Sequence, residues 1–142
     1  DVCSSDLLVP LDGSKNSIRG LDMAIHIARQ SQGTISALTV KTVPGIYALH
    51  PLGFLGINSG DEAKKIIESA KVRAAKRGIK LTAKALAGDP GYDIARFANN
   101  AKNKIDLVVI GARGRSSAKE MFLGSTSNYV LHKSKKPVLI VK

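Results

Sequence analysis

The sequence predicts an α/β protein whose parallel sheet is covered by helices on both faces. Short aliphatic and β-branched runs alternate with longer segments of helical periodicity, in the order β-α-β-α-β-α-β-α-β. Strands that alternate with helices in this way favour a parallel sheet. The runs "LLVP" and "LVVI" contain no polar residue, which is typical of strands buried on both faces. With 142 residues, we expect a single domain, 1–142.

The first three elements are a strand, a helix and a strand. "LLVPLDG" predicts a buried strand that ends at Pro10 and Gly13. "TISALTVKTV" is rich in β-branched residues and predicts the second strand. Between them, "SKNSIRGLDMAIHIARQSQG" predicts a helix that ends at Gly33. The apolar stripe of this helix consists of Ile18, Leu21, Ile25 and Ala28.

The segment from Val43 to Gly60 has no clear periodicity. It contains four glycines and two prolines but is otherwise mostly apolar. We expect a long loop that acts as a lid or a partner contact, the alternative being a poorly ordered connection. A capping-box pattern, Ser59 and Glu62, then opens a second helix that we expect to end at Gly78.

The remaining elements complete the alternation. "IKLTAKAL" predicts a half-exposed edge strand, with Ile79, Leu81, Ala83 and Ala85 on one face. "GDPGYDIARFANNAKN" predicts a helix with Asp89 as its cap and Pro90 at its first position. "IDLVVIG" predicts a buried strand, residues 125–133 a helix, and "PVLIV" the last strand.

Composition narrows the class of protein. No run approaches the roughly 18 apolar residues that span a membrane, and the first residues show no cleavable signal. The single Cys cannot form an internal disulfide, so we expect a cytoplasmic protein. The net charge of +11 indicates either an anionic partner, such as a nucleotide, a nucleic acid or a membrane surface, or a solvated basic face.

The opening "DVCSSD" is a poor start for a strand. It matches the translation of a common sequencing-adapter end. We therefore hypothesise that residues 1–6 are an artefact of sequence assembly.

A candidate binding site follows from the fold class. In parallel sheets of this type ligands bind beyond the carboxyl ends of the strands, where the strand order reverses. Two loops begin at such ends, "PLDGS" after the first strand and "GARGR" after the fourth. The chain has neither G-x-x-x-x-G-K-[ST] nor G-x-G-x-x-G after its first strand, so the common P-loop and dinucleotide fingerprints are excluded.

A different glycine pattern, G-x2-G-x9-G-S, follows the fourth strand. Gly111 and Gly114 free a tight loop, and Gly124 lets the backbone come close to a ligand. Ser125, Thr126 and Ser127 add hydroxyls at a helix start, where free N–H groups favour anions. The pattern therefore favours phosphate binding, the alternative being a plain strand-to-helix connection.

The segments "VPLDGS", "AGDPGYDIARFA" and "DLVVIGARGRSSAKEMFLGSTSNYVLHKSKKPVLIV" together resemble the universal stress protein family. The resemblance extends from Leu7 to Val141. It implies a Rossmann-like open sheet of five parallel strands in the order 3-2-1-4-5. One branch of the family binds ATP and another lacks the glycine pattern. This chain keeps the pattern, so it is similar to the ATP-binding branch, a group of stress-response proteins.

The resemblance also implies roles for individual residues. The adenine and ribose would be bound by Pro10, Leu11, Asp12 and Val40. The ribose and phosphates would be surrounded by Gly111, Arg113, Gly114, Gly124, Ser125 and Thr126. Magnesium would bind through the phosphates, and ADP or AMP are alternatives to ATP. The resemblance further implies a homodimer through the last strand, Pro137 to Val141.

Plainer explanations and rival functions remain open at this point. Asp12 is also a suitable turn or cap residue, and Ser125 and Thr126 are also suitable N-caps. The rival functions are a slow ATPase or phosphate-transfer enzyme and a basic nucleic-acid-binding protein. No residue stands out as a general base, so we expect at most weak ATP hydrolysis. The sparse aromatic residues, 4%, argue against nucleic acid. The three His residues lack the spacing of metal ligands.

Overall fold

The computed structural model of the chain describes residues 5–43, 60–114 and 123–142. Almost all of the predicted loop 43–60, with its Ser59 cap, lies outside the described residues. Residues 1–4 of the suspected artefact and residues 115–122 of the glycine-rich segment also lie outside them.

The described residues form five strands and four α-helices. The strands are β1 (Asp6–Pro10), β2 (Thr34–Thr42), β3 (Leu81–Gly88), β4 (Leu107–Gly111) and β5 (Val138–Val141). The helices are α1 (Lys15–Ser31), α2 (Gly60–Ala75), α3 (Pro90–Asn99) and α4 (Ser125–Lys133), and a 3₁₀ turn covers Ala101–Asn103.

All five strands run parallel in the order β3-β2-β1-β4-β5, which confirms the predicted order. β1 is central, and its Leu7 pairs with Ile35 of β2 on one side and Leu107 of β4 on the other. The chain moves outward from β1 to β3 and then crosses to the other side of β1 for β4 and β5. The order therefore reverses between β1 and β4, and their carboxyl ends flank a crevice.

Side chains of β1 alternate between two apolar cores. Leu7 and Val9 pack against α1 and α2, whereas Leu8 packs on the opposite face against α3 and α4. All three side chains are fully buried. Burial on both faces explains why the strand sequence has no polar alternation.

The face that α1 presents to the sheet differs from the predicted stripe. Leu21, Ile25 and Ala28 are buried as expected, but Ile18 is exposed. Small residues contact the sheet instead, because a Cβ on Gly20 would lie only 3.3 Å from the backbone nitrogen of Gly111. α1 therefore approaches β4 closely, and no large side chain fits between them.

The end of α1 also corrects a prediction. The left-handed C-cap is Gln32, with φ 56°, and not Gly33. Gly33 serves a different purpose, because a Cβ there would clash with the carbonyl oxygen of Ser5. The glycine thus allows the chain before β1 to approach the start of β2.

Edge strand β3 begins two residues later than predicted and extends to Gly88. Leu81 and Ala83 pack against the first core as expected, and Leu86 packs against the second. Ala85 continues the same row but is exposed. Only the first part of the predicted stripe is therefore covered by helices.

Helix α3 begins as its sequence predicts. Asp89 is the N-cap, and its Oδ1 accepts a hydrogen bond of 3.0 Å from the N–H of Tyr92. Asp93 accepts a hydrogen bond of 2.9 Å from the N–H of Asp89 in return. This reciprocal capping fixes where α3 starts, beside the carboxyl edge of the sheet. Among the described residues, no helix is long and apolar enough to cross a membrane.

Candidate functional site

A cavity of about 640 Å³ opens at the carboxyl edge of the sheet. Its walls come from the ends of β1, β2 and β4 and from the amino-terminal parts of α1, α2, α3 and α4. All ten residues singled out from the sequence line it, namely Pro10, Leu11, Asp12, Val40, Gly111, Arg113, Gly114, Gly124, Ser125 and Thr126. The two loops that follow β1 and β4 therefore meet at one site, as the fold class predicts.

The loop after β1 is held by its own hydrogen bonds. The N–H of Leu11 donates to the carbonyl of Leu38 over 2.9 Å, which ties the loop to β2. Oδ1 of Asp12 accepts from the N–H of Ser14 over 2.8 Å, and Ser14 in turn caps α1. Asp12 is thus a turn residue through one carboxylate oxygen.

The second oxygen of Asp12 faces the loop after β4. A Cβ added to Gly114 would lie 2.7 Å from Asp12 Oδ2, so this glycine leaves the space that the carboxylate occupies. The turn role and the binding role of Asp12 are therefore compatible, because they use different oxygens.

Packing explains some glycines of the pattern and not others. A Cβ on Gly111 would lie 2.6 Å from the backbone oxygen of Asn16, so Gly111 is needed for the approach of α1. Gly124, by contrast, has an ordinary φ of −70°, and a Cβ there would make only van der Waals contacts, the closest 3.5 Å from Cα of Arg113. Neither backbone strain nor packing among the described residues requires a glycine at position 124.

The start of α4 presents backbone N–H groups without a side-chain cap. Gly124 is the N-cap residue and has no side chain to accept from them. Ser125 and Thr126 are the first two residues of the helix and both line the cavity, so they are not its N-caps. An uncapped helix start that faces a cavity favours an anionic group there.

Ser127 holds this arrangement together. Its hydroxyl is buried and donates over 2.7 Å to the carbonyl of Ala112, with the carbonyl of Gly124 at 3.1 Å. The N–H of Gly124 also donates to the carbonyl of Ala112 over 2.8 Å. The hydroxyl that the sequence suggested for a ligand is thus engaged in closing the loop between β4 and α4.

Several lining residues were not singled out from the sequence. Thr39, Lys41 and Thr42 come from β2, and Glu62, Ala63 and Ile66 come from α2. Pro90 and Ile94 of α3 complete the apolar side. A signal existed for Thr39, because it is the polar residue in an otherwise apolar stretch of β2, "ALTV". The α2 residues could not be assigned, because the course of the preceding segment does not follow from periodicity.

The lining carries both signs of charge. Lys41 and Arg113 supply cations, and Asp12 and Glu62 supply carboxylates. The described part of the chain contains no group of three or more His, Cys, Asp or Glu that could hold a metal ion.

Fold and site together define a Rossmann-like α/β protein with a ligand cavity at its topological switch point. The model of the universal stress protein family matches residues 5–142, and the chain belongs to this family.

Individual members of the family are similar to this chain over nearly its whole length. The universal stress protein YxiE of Bacillus subtilis (strain 168) is 37% identical over 147 residues, covering 96% of this chain and 97% of its own. The structure of universal stress protein UspA from Lactobacillus plantarum matches with a TM-score of 0.85 and 25% identity, covering 100% of both chains. A universal stress protein crystallised in complex with cAMP matches with a TM-score of 0.73 and 26% identity, covering 98% of this chain and 97% of that one.

Proposed function

We propose that this protein binds ATP in the cavity and acts as a nucleotide-dependent regulator of stress tolerance in the cytoplasm. The observation that carries the proposal is the start of α4, whose uncapped N–H groups and glycine N-cap face a cavity of about 640 Å³. The cAMP complex of a related universal stress protein supports an adenine nucleotide as the ligand class.

The two ends of the cavity suit the two ends of a nucleotide. At one end, Pro10, Leu11 and Val40 offer apolar surface for a base, and Asp12 offers a carboxylate oxygen to a sugar hydroxyl. At the other end, Gly111, Arg113 and Gly114 follow β4, and Gly124, Ser125 and Thr126 begin α4. There the helix start and the Arg113 cation complement phosphate charge. Magnesium would be bound through the phosphates.

A single side chain at position 124 tests this proposal. Gly124→Val places carbon between the start of α4 and the backbone of residues 112–114, where the phosphates are proposed to bind. We expect ATP to bind roughly tenfold more weakly or worse, which corresponds to a loss of about 1.4 kcal/mol or more. Isothermal titration calorimetry with ATP and magnesium measures this directly.

The matched control is Gly60→Val, at the first residue of α2, where a Cβ would meet no described atom within 4 Å. The control should bind ATP as the wild type does, and both variants should keep the wild-type circular dichroism spectrum. Unchanged affinity in Gly124→Val would exclude this part of the cavity as the phosphate site.

A homodimer through β5 belongs to the same proposal. β5 is an edge strand of the sheet, and all four of its residues are partly exposed. An edge strand offers unpaired backbone groups to a second strand, so a copy of this chain can extend the sheet there. The short length of β5 makes side-chain packing around it part of such an interface.

A further inference from the structure

A buried hydroxyl in the wall of the cavity has no hydrogen-bond partner among the described residues. Thr39 of β2 is 6% exposed and lines the cavity. Its Oγ1 makes no hydrogen bond to any described residue. Buried side-chain hydroxyls in native proteins are nearly always paired, because an unpaired one loses its hydrogen bonds to water without replacement.

The strand alternation explains why the protein supplies no partner. Ile35 and Ala37 lie four and two residues before Thr39, on the same face of β2, and both belong to the first apolar core. Thr39 continues this row at the point where the core gives way to the cavity. Two other polar groups of the cavity lining are engaged elsewhere, since the Ser17 hydroxyl donates to the carbonyl of Ser14 and Oδ1 of Asp12 accepts from the N–H of Ser14.

The position of Thr39 in the sheet indicates which part of a ligand it meets. β1 separates β2 from β4, and neighbouring strands lie about 4.8 Å apart, so β2 is roughly 10 Å from the strand that leads into the glycine-rich loop. Thr39 therefore lies away from the proposed phosphate end. It is next to Val40 along β2, the strand beside which the nucleoside is proposed to bind; the two side chains point to opposite faces, and both residues line the cavity.

We propose that the hydroxyl of Thr39 hydrogen-bonds to the nucleoside half of the bound nucleotide and contributes to selection of the ligand. The inference rests on the proposed function, because it takes an adenine nucleotide to be the ligand. A hydroxyl donates one hydrogen bond and accepts others, so it can pair with a ring nitrogen, an exocyclic amine or a sugar hydroxyl. Binding would then give a partner to a hydroxyl that pairs with none of the described residues.

The substitution Thr39→Val separates a ligand contact from a structural role. Valine keeps the shape of threonine and removes only the hydroxyl. We expect the free variant to unfold at the wild-type temperature or above, because no hydrogen bond within the protein is lost. Its affinity for ATP should fall about three- to tenfold, the usual effect of one neutral hydrogen bond. Differential scanning calorimetry and titration calorimetry measure the two quantities.

The control is Thr82→Val, an exposed threonine on β3 outside the cavity lining. It should leave ATP affinity unchanged. Wild-type affinity in Thr39→Val would overturn the inference while the proposed function stands. Lower stability of the free Thr39→Val protein would overturn it as well, because the hydroxyl would then serve the fold. If the wild type itself fails to bind ATP, the proposed function is wrong and the inference falls with it.

Titration with a second nucleotide shows which part of the nucleoside the Thr39 hydroxyl contacts. Titrations of the wild type and Thr39→Val are repeated with 2′-deoxy-ATP. If the loss caused by Thr39→Val disappears, the partner is the ribose 2′-hydroxyl. If the loss persists, the partner is elsewhere in the nucleoside. Either result supports a direct contact, provided that the loss was present with ATP.

Discussion

Individual residues around the cavity divide into those that build it and those that face its space. Ser127 and Gly111 build it, the first through a hydrogen bond to Ala112 and the second through the close approach of α1. Gly124 and Thr39 face its space, and their properties have no explanation in packing alone. Residues whose identity is not explained by packing are therefore the most informative about ligand binding.

Substitution by alanine should destabilise the protein at Ser127 and have little effect at Ser125. Ser127→Ala removes a buried hydrogen bond that closes the loop before α4, so we expect it to lower the free energy of unfolding by about 1 kcal/mol. Ser125→Ala alters an exposed side chain and should change stability by less than about 0.5 kcal/mol. Urea denaturation of the nucleotide-free proteins measures both. Equal losses in the two variants would contradict the assigned roles.

At the scale of elements, the site depends on where the four α-helices of the described residues begin. Each of them places residues near its start against the cavity. Side-chain N-caps fix two of these starts, Ser14 at α1 and Asp89 at α3. The fixed start of α3 positions Pro90 and Ile94 in the apolar wall.

Asp89→Ala should therefore destabilise α3. The carboxylate accepts a hydrogen bond from the N–H of Tyr92, and loss of such a cap costs about 1 kcal/mol. Asp89→Asn is the matched control, because asparagine caps helices about as well as aspartate. Thermal unfolding should separate the two variants. Equal unfolding temperatures for Ala and Asn would show that the cap does not stabilise the protein.

Sequence periodicity predicted the type of every described strand and α-helix, because the spacing of apolar residues shows which face of an element is buried. It failed where two elements approach closely, because the close contact then determines which residue is buried or where a helix ends. Ile18 was expected inside, but small residues are required where α1 meets β4. Gly33 was expected to end α1, but it serves the contact with Ser5. In the site, the pattern identified the glycine-rich wall and missed Thr39, whose importance depends on the absence of a partner.

At the scale of the whole molecule, the order of the strands would give the two proposed functions separate locations. The cavity lies at the carboxyl edge between β1 and β4, whereas β5 is the edge strand beyond β4. Dimerisation through β5 would therefore leave the β1 and β2 side of the cavity accessible.

Ile140→Pro should prevent the proposed dimer. The N–H of Val108 donates to the carbonyl of Pro137, and the N–H of Ala112 donates to that of Val141. By alternation, the N–H of Ile140 points away from β4 toward the outer edge. Proline removes this donor, whereas the control Ile140→Ala removes side-chain packing and keeps it. Light scattering after size exclusion should show a monomer for proline and a dimer for alanine and the wild type. A dimeric proline variant, or a monomeric wild type, would rule out this interface.

The most direct measurement of the central claim is to identify what the cavity holds. The purified protein is denatured, the released small molecules are identified by mass spectrometry, and the refolded, stripped protein is titrated with ATP and magnesium. We predict that an adenine nucleotide is released and that ATP binds again with micromolar affinity. Release of no nucleotide, together with no heat of binding, would contradict the account and leave the glycine pattern as part of the scaffold only.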